Sequence, residues 1–196
     1  MALLPKWSKW KAGTWCWWKN KEEMMKTWQD CVDFHGHECG GLTIGYKASL
    51  YAIKLLELEF SRDEQVVCIA ENDACGIDGI QVMLGCSVGK GNLLFHIRGK
   101  SAYSFYNRKN GKSVRLVLKT KQGLTKQESF AYYQSCEPEE MFEVKETTIS
   151  LPEKAQLFDS YVCDCCGETT GANWIRLVDG KKLCLDCAPH YDRFHV

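Results

Sequence analysis

Apolar positions along the chain recur with two different periods. From Glu22 onward, Met24, Met25, Trp28, Cys31 and Val32 return at three- and four-residue steps, the spacing of one buried helix face. A glycine-rich turn follows, Phe34-His35-Gly36-His37-Glu38-Cys39-Gly40-Gly41. Leu42, Tyr46, Leu50, Ile53 and Leu56 then keep the 3.6-residue period through Glu59, which predicts a long buried helix starting just after the turn. Gln65 to Ala70 is a short apolar run and reads as a strand. The loop Glu71-Asn72-Asp73-Ala74-Cys75-Gly76 leads into a further helix, Ile77 to Leu84.

Strand patterning takes over from Asn92 to Ile97. Tyr103 and Phe105, the turn Lys109-Asn110-Gly111-Lys112, then Val114, Leu116 and Leu118 predict a hairpin, with Asn-Gly supplying positive φ. Thr125 to Cys136 is a helix candidate in which Thr125 and Glu128 make a capping box. Pro138 and Pro152 punctuate a helical or mixed stretch, and beyond it the composition turns to Cys, Asp and Gly. The boundary falls near Leu151 to Tyr161. Three parts result: an extension over 1–20, a core over 21–152 and a finger over 153–196.

Composition narrows the classes. The 196 residues are 45% apolar and carry 25 basic and 25 acidic side chains, so a full core is available and no global field draws nucleic acid or an anionic membrane. Twelve cysteines stand out. No signal-like apolar run follows the N-terminus and no stretch reaches the ~18 apolar residues of a membrane span, so the reading is a reducing cytoplasm in which cysteines serve as ligands or reactive thiols. Residues 1–20 hold five of the seven tryptophans, four lysines and no acid. That mix suits a membrane interface, but Gly13 and Thr14 interrupt any helix, and the segment reads as a docking arm or a cloning or gene-start remnant.

Cys163-x2-Cys166 and Cys184-x2-Cys187 are separated by 17 residues, the spacing of a four-thiolate zinc site. Trp174 to Val178, Asp179-Gly180 and Lys182-Leu183 form a hairpin between the pairs, and Leu185 to Tyr191 a short helix after them, the layout of a treble-clef finger. Cys165 is a fifth thiol, read as a spectator. Four protein ligands make this site structural, and the metal supplies the folding energy that a segment so small lacks. From Tyr161 onward five acids face four bases, which favours a protein partner for the finger over nucleic acid.

A second constellation is dispersed over three turns: His35, His37 and Cys39; Cys75 and Asp78; and Gly85-Cys86-Ser87-Val88-Gly89-Lys90-Gly91-Asn92. Thiols near helix N-termini favour metal ligation and nucleophilicity. Gly85 to Gly91 is no Walker A loop, having three residues before Gly89-Lys90 and Gly91 in place of Ser or Thr. Cys31, Cys68, Cys86 and Cys136 can equally be small buried hydrophobes.

At these residues the chain resembles the FmdE family, the E-subunit group of molybdenum or tungsten formylmethanofuran dehydrogenase. Phe34-His35-Gly36-His37-Glu38-Cys39-Gly40-Gly41-Leu42 is similar to that family's Phe-His-Gly-His-x-Cys-Pro-Gly-Leu, with Gly40 replacing Pro. Ala74 to Gln81 is similar to Ala-Cys-x-Val-Asp-Ala-Ile-Gln, and Gly85 to Leu93 to Gly-Cys-Thr-x-Gly-Lys-Gly-Asn-Leu. The resemblance spans about residues 22–150. It implies an α+β core with helices packed on a mainly antiparallel sheet, commonly dimeric, with His35, His37, Cys39, Cys75, Asp78 and Cys86 on the family's motif positions around a cleft suited to a transition metal.

The leading expectation is a cytoplasmic metal-binding accessory protein, homodimeric, in which His37, Cys39 and Cys75, with or without His35 and Asp78, bind zinc or nickel beside a structural zinc finger. The alternative is an enzyme that acts on a pterin or one-carbon carrier through an open-site metal or thiolate, with Cys39, Cys75 and Asp78 as candidates. A nucleic-acid regulator acting through the finger ranks third.

Overall fold

The computed structural model describes residues 25–190; the Trp-rich arm, Glu22, Met24 and residues 191–196 lie outside them. The first helix, α1 (Trp28–His35), starts later than its apolar spacing suggests. Thr27 stops it: the Thr27 hydroxyl accepts from Asp30 N at 3.2 Å and the Asp30 carboxylate takes Thr27 N at 2.7 Å, a capping box that fixes Thr27 in an extended conformation. Met25, ahead of the cap, is 62% exposed.

α2 (Gly40–Leu56) is the central helix. Its buried positions Leu42, Gly45, Ser49, Ala52 and Leu56 run down one face at helical spacing and pack on the sheet. β1 (Val66–Ala70) is buried throughout because the sheet is covered on both sides there. Cys68 and Ala70 face the helices, while Val67 and Ile69 join Tyr106 in a second, smaller cluster on the other face. α3 (Gly76–Leu84) then packs along α1 and α2.

The remaining core strands are β2 (Leu93–Phe95), β3 (Ala102–Asn107), β4 (Ser113–Leu118) and β5 (Phe142–Lys145). The sheet order is β2-β1-β3-β4-β5, parallel only at β1/β2. The core is therefore helices on a mainly antiparallel sheet. The β3/β4 hairpin is wider than Asn110-Gly111 predicts: Gly111 alone has positive φ in the loop, and its N–H reaches back to Asn107 O at 2.9 Å. A two-residue type I′ turn needs positive φ at both positions, so the loop closes over five residues instead.

α4 (Lys126–Ser135) carries the expected capping box of Thr125 and Glu128. The stretch after Pro138 divides into a single turn, α5 (Pro138–Met141), and strand β5. From there the chain is tied back to the core. Arg108 Nη2 donates to Pro152 O at 2.7 Å and Glu153 O at 3.1 Å, and Ala155 N donates to the Glu64 carboxylate.

Beyond this strap, β6 (Ser160–Val162) pairs with β7 (Thr169–Gly171), and β8 (Arg176–Val178) with β9 (Lys181–Leu183). Asp179 and Gly180 both have positive φ, the two-residue turn that their sequence favours. After Cys184 the described residues form a turn rather than the expected short helix; Pro189 disfavours helical conformation at Ala188. Among the described residues no helix is long and apolar enough to cross a membrane.

Candidate metal centres

The core site is assembled by three helix ends. α1 finishes with His35 and is stopped by Gly36 at φ 89°. α2 starts from Cys39, whose sulfur accepts the Leu42 N–H at 3.3 Å, and α3 starts from Cys75, whose side chain makes no cap bond. Glycines bring the two N-termini into contact: a Cβ on Gly41 would lie 3.0 Å from Cys75 Cβ and 3.9 Å from Cys39 Sγ. As a result, one ligand atom each of His35, Cys39 and Cys75 lies within 4.8 Å of the other two. His35 Nε2 is 3.7 Å from Cys39 Sγ.

Those spacings suit a tetrahedral ion. Bond lengths of about 2.3 Å to sulfur and 2.0–2.1 Å to nitrogen separate neighbouring S and N donors by about 3.6 Å. Thiolate with imidazole is a donor set for soft divalent metals, not for magnesium or calcium. Desolvation, then the nearby Cys39 thiol, pushes the Cys75 thiol above its ordinary value. Crowding of two would-be anions is the strain that a bound dication relieves.

Other expected ligands take different positions. His37 is exposed and outside the donor group; its ring packs on that of His35 with centroids 4.5 Å apart. Asp78 faces the imidazole, its Oδ2 2.6 Å from His35 Nδ1. Cys86 is fully buried just past the far end of α3, which at nine residues is about 13 Å long. Its thiol contacts Val66 O, and burial pushes it up to about 12. The glycine-rich third turn is a structural clasp: Lys90 Nζ caps Ser61 O and Gly85 O, and buried Asn92 donates to Val66 O at 2.9 Å. Gln81, one turn beyond Asp78, donates to Asp78 Oδ1 at 3.2 Å. Its place in the site was readable only from the three-residue spacing Cys75, Asp78, Gln81, which aligns them on one helix face.

In the finger, Cys163, Cys166, Cys184 and Cys187 bring four sulfurs within 4.8 Å of one another. Cys166 and Cys184 are 3.9 Å apart, close to the ~3.8 Å of two sulfurs on one tetrahedral ion and far from a disulfide. Backbone N–H groups of Cys166, Cys184 and Cys165 bring the Cys163 thiol down to about 6. Cys165 is exposed and outside the group of four. The local core comprises only Cys163, Leu183 and Cys184 with Val178, Cys187 and Ala188 against it.

Fold and donor groups thus define an α+β protein followed by a Cys-rich finger, with two Cys/His clusters able to hold metal. The chain belongs to the FmdE family: the family described as "FmdE, Molybdenum formylmethanofuran dehydrogenase operon" matches residues 34–157, which include all three turn blocks. A protein of Archaeoglobus fulgidus named "Probable S-adenosyl-L-methionine-binding protein" is 29% identical over 192 residues, covering 81% of this chain and 51% of that one. The chain therefore spans about half the length of the curated relative it matches. The crystal structure of an FmdE-like protein of tungsten formylmethanofuran dehydrogenase type from Syntrophus aciditrophicus shares the fold with TM-score 0.63 and 24% identity, over 81% of this chain and 88% of that one.

Proposed function

We propose that the protein is a metal-binding accessory protein with two centres of unlike design. His35, Cys39 and Cys75 hold zinc or nickel in the core; Cys163, Cys166, Cys184 and Cys187 hold zinc in the finger. The convergence of three donor atoms at the ends of three helices carries this reading. Four thiolates close a structural site, whereas three protein donors leave a coordination position for a small molecule.

That open position supports the second reading, an enzyme acting on a pterin or one-carbon carrier. The ion, when bound, would supply Lewis acidity there. The protein's own residues orient: the α2 and α3 N-termini present Cys39 and Cys75, and exposed His37 stands beside His35 as a group able to exchange protons with a ligand. The name of the A. fulgidus relative is not carried over, since half of that protein has no counterpart here. The reading includes a cytoplasmic homodimer whose finger docks a protein partner, supported by Trp174 and Leu177 at 57% and 73% exposure.

Metal analysis of protein purified without chelator tests the assignment. Two equivalents per chain are expected, one lost in Cys75→Ser and the other in Cys184→Ser. Wild-type metal content at the non-finger site in both Cys39→Ser and Cys75→Ser would end the core assignment. Light scattering behind size exclusion checks the dimer.

A further inference from the structure

We infer that Asp78 and Gln81 are positioning residues that fix which nitrogen of His35 faces the core centre. The inference rests on the proposed core metal site and specifies how that site is held ready. A neutral imidazole has one N–H and one lone pair, and its partner decides which nitrogen carries which. Asp78 Oδ2 stands 2.6 Å from Nδ1 and His35 Nε2 3.7 Å from Cys39 Sγ. With a carboxylate acceptor on Nδ1 the hydrogen belongs there, which leaves the Nε2 lone pair directed at the thiols. The opposite tautomer would set a lone pair against a carboxylate oxygen.

The carboxylate is itself held. Gln81 Nε2 donates to Oδ1 at 3.2 Å, so Asp78 keeps Oδ2 for the imidazole. Cys75, Asp78 and Gln81 follow at steps of three on α3, so a single helix supplies a ligand, its neighbour's orienter and the support of that orienter. Because α1 and α3 are linked at this contact, the pair also sets where the last turn of α1 ends. Asp78 is 33% exposed and His35 10%, which leaves the carboxylate accessible to water while the ring is enclosed. Asp78 thus acts outside the coordination sphere, in the role that outer-shell carboxylates play for metal-bound histidines.

Full-length Asp78→Ala, Asp78→Asn and Gln81→Ala proteins test this by two readouts. Competition with a zinc chelator should show core affinity reduced about 10–100-fold in Asp78→Ala, less in Gln81→Ala, with finger affinity unchanged. Asp78→Asn should recover part of the loss, because its amide oxygen still accepts from Nδ1 once the Gln81 amide turns over. Long-range ¹H–¹⁵N spectra of the metal-free protein at pH 8 should show His35 as the Nδ1–H tautomer in wild type and Asp78→Asn, and as a mixture in Asp78→Ala.

Wild-type core affinity together with an unchanged tautomer in Asp78→Ala overturns the inference. Should wild type hold no core metal, the metal assignment fails and the tautomer spectrum alone decides: Nδ1–H in wild type and a mixture in Asp78→Ala support the positioning role, and identical spectra overturn it. If Asp78→Ala does not fold, Asp78→Asn and Gln81→Ala carry the same two readouts.

Discussion

Gly45 of α2 and Gly76 of α3 touch backbone to backbone: a Cβ on Gly45 would lie 1.8 Å from the Gly76 carbonyl oxygen. No rotamer relieves such an overlap, since both partners are main chain. The contact sets the separation of the two helices whose first turns carry Cys39 and Cys75, and Gly79 against Tyr46 N continues it one turn on. Gly45→Ala must push α3 off α2, an overpacking cost of about 3 kcal/mol or more. Urea denaturation should show the lowered midpoint. Partly folded variant protein should bind finger metal but lose core metal, because the donor distances open with the helices.

Much of the architecture was legible locally, and the exceptions have physical reasons. α2, α3 and the α4 cap follow from helical spacing and from Thr125 with Glu128, signals contained within one element. The finger sulfurs follow from paired spacing. Strand β5 was hidden because only Phe142 of its four residues is buried; Glu143, Val144 and Lys145 become strand by pairing with β4 at the edge of the sheet. His35 and His37 are chemically equivalent in the motif. Their roles separate only because α1 ends on His35 and places it against Asp78, 43 residues away in sequence.

Glu71 and Arg115 form a bidentate pair, with Nε and Nη2 at 2.6 and 2.9 Å from the two carboxylate oxygens and both side chains largely buried. The Arg115 hydrogen bonds hold the Glu71 carboxyl below its ordinary value of 4.5. A carboxyl depressed in the folded state stabilises fully above its unfolded value and loses that contribution as pH falls through its folded value. Stability of the wild type minus that of Glu71→Gln should therefore be flat above about pH 5 and shrink below it. At neutral pH the variant should be less stable by roughly 3 kcal/mol, since Arg115 is left unpaired. Equal pH profiles for the two proteins would show that the pair contributes nothing through ionisation.

Thiol reactivity should sort the described cysteines into three groups. Cys31, Cys68 and Cys86 are fully buried; burial pushes the Cys31 thiol up to about 11, the Cys86 thiol up to about 12 and that of Cys68 well above its ordinary value. Iodoacetamide at pH 8 should leave all three unmodified in the native protein, while exposed Cys165 reacts first. Adding chelator should open a second group, Cys39 and Cys75 together with Cys163, Cys166, Cys184 and Cys187. Peptide mapping by mass spectrometry reads all three groups, and Cys75 labelling that ignores chelator would contradict its assignment as a ligand.

Metal removal should separate the two parts of the chain. The finger's local cluster has three buried residues, whereas the core cluster includes Phe105, Leu116, Phe142 and the inner face of α2. Burial at roughly 25 cal/mol per Å² sustains the latter without metal, but so small a cluster cannot offset the ordering of some 30 residues in the finger. Chelation should therefore collapse β6 to β9 and leave the core sheet intact. Amide hydrogen exchange is the decisive reading. Val162 and Leu183 should lose protection on chelation, Cys68 and Phe105 should keep theirs, and readdition of one equivalent of zinc should restore the finger. Cooperative loss of both sets would mean that core and finger form one folding unit, with the strap through Glu64 and Arg108 transmitting finger stability into the sheet.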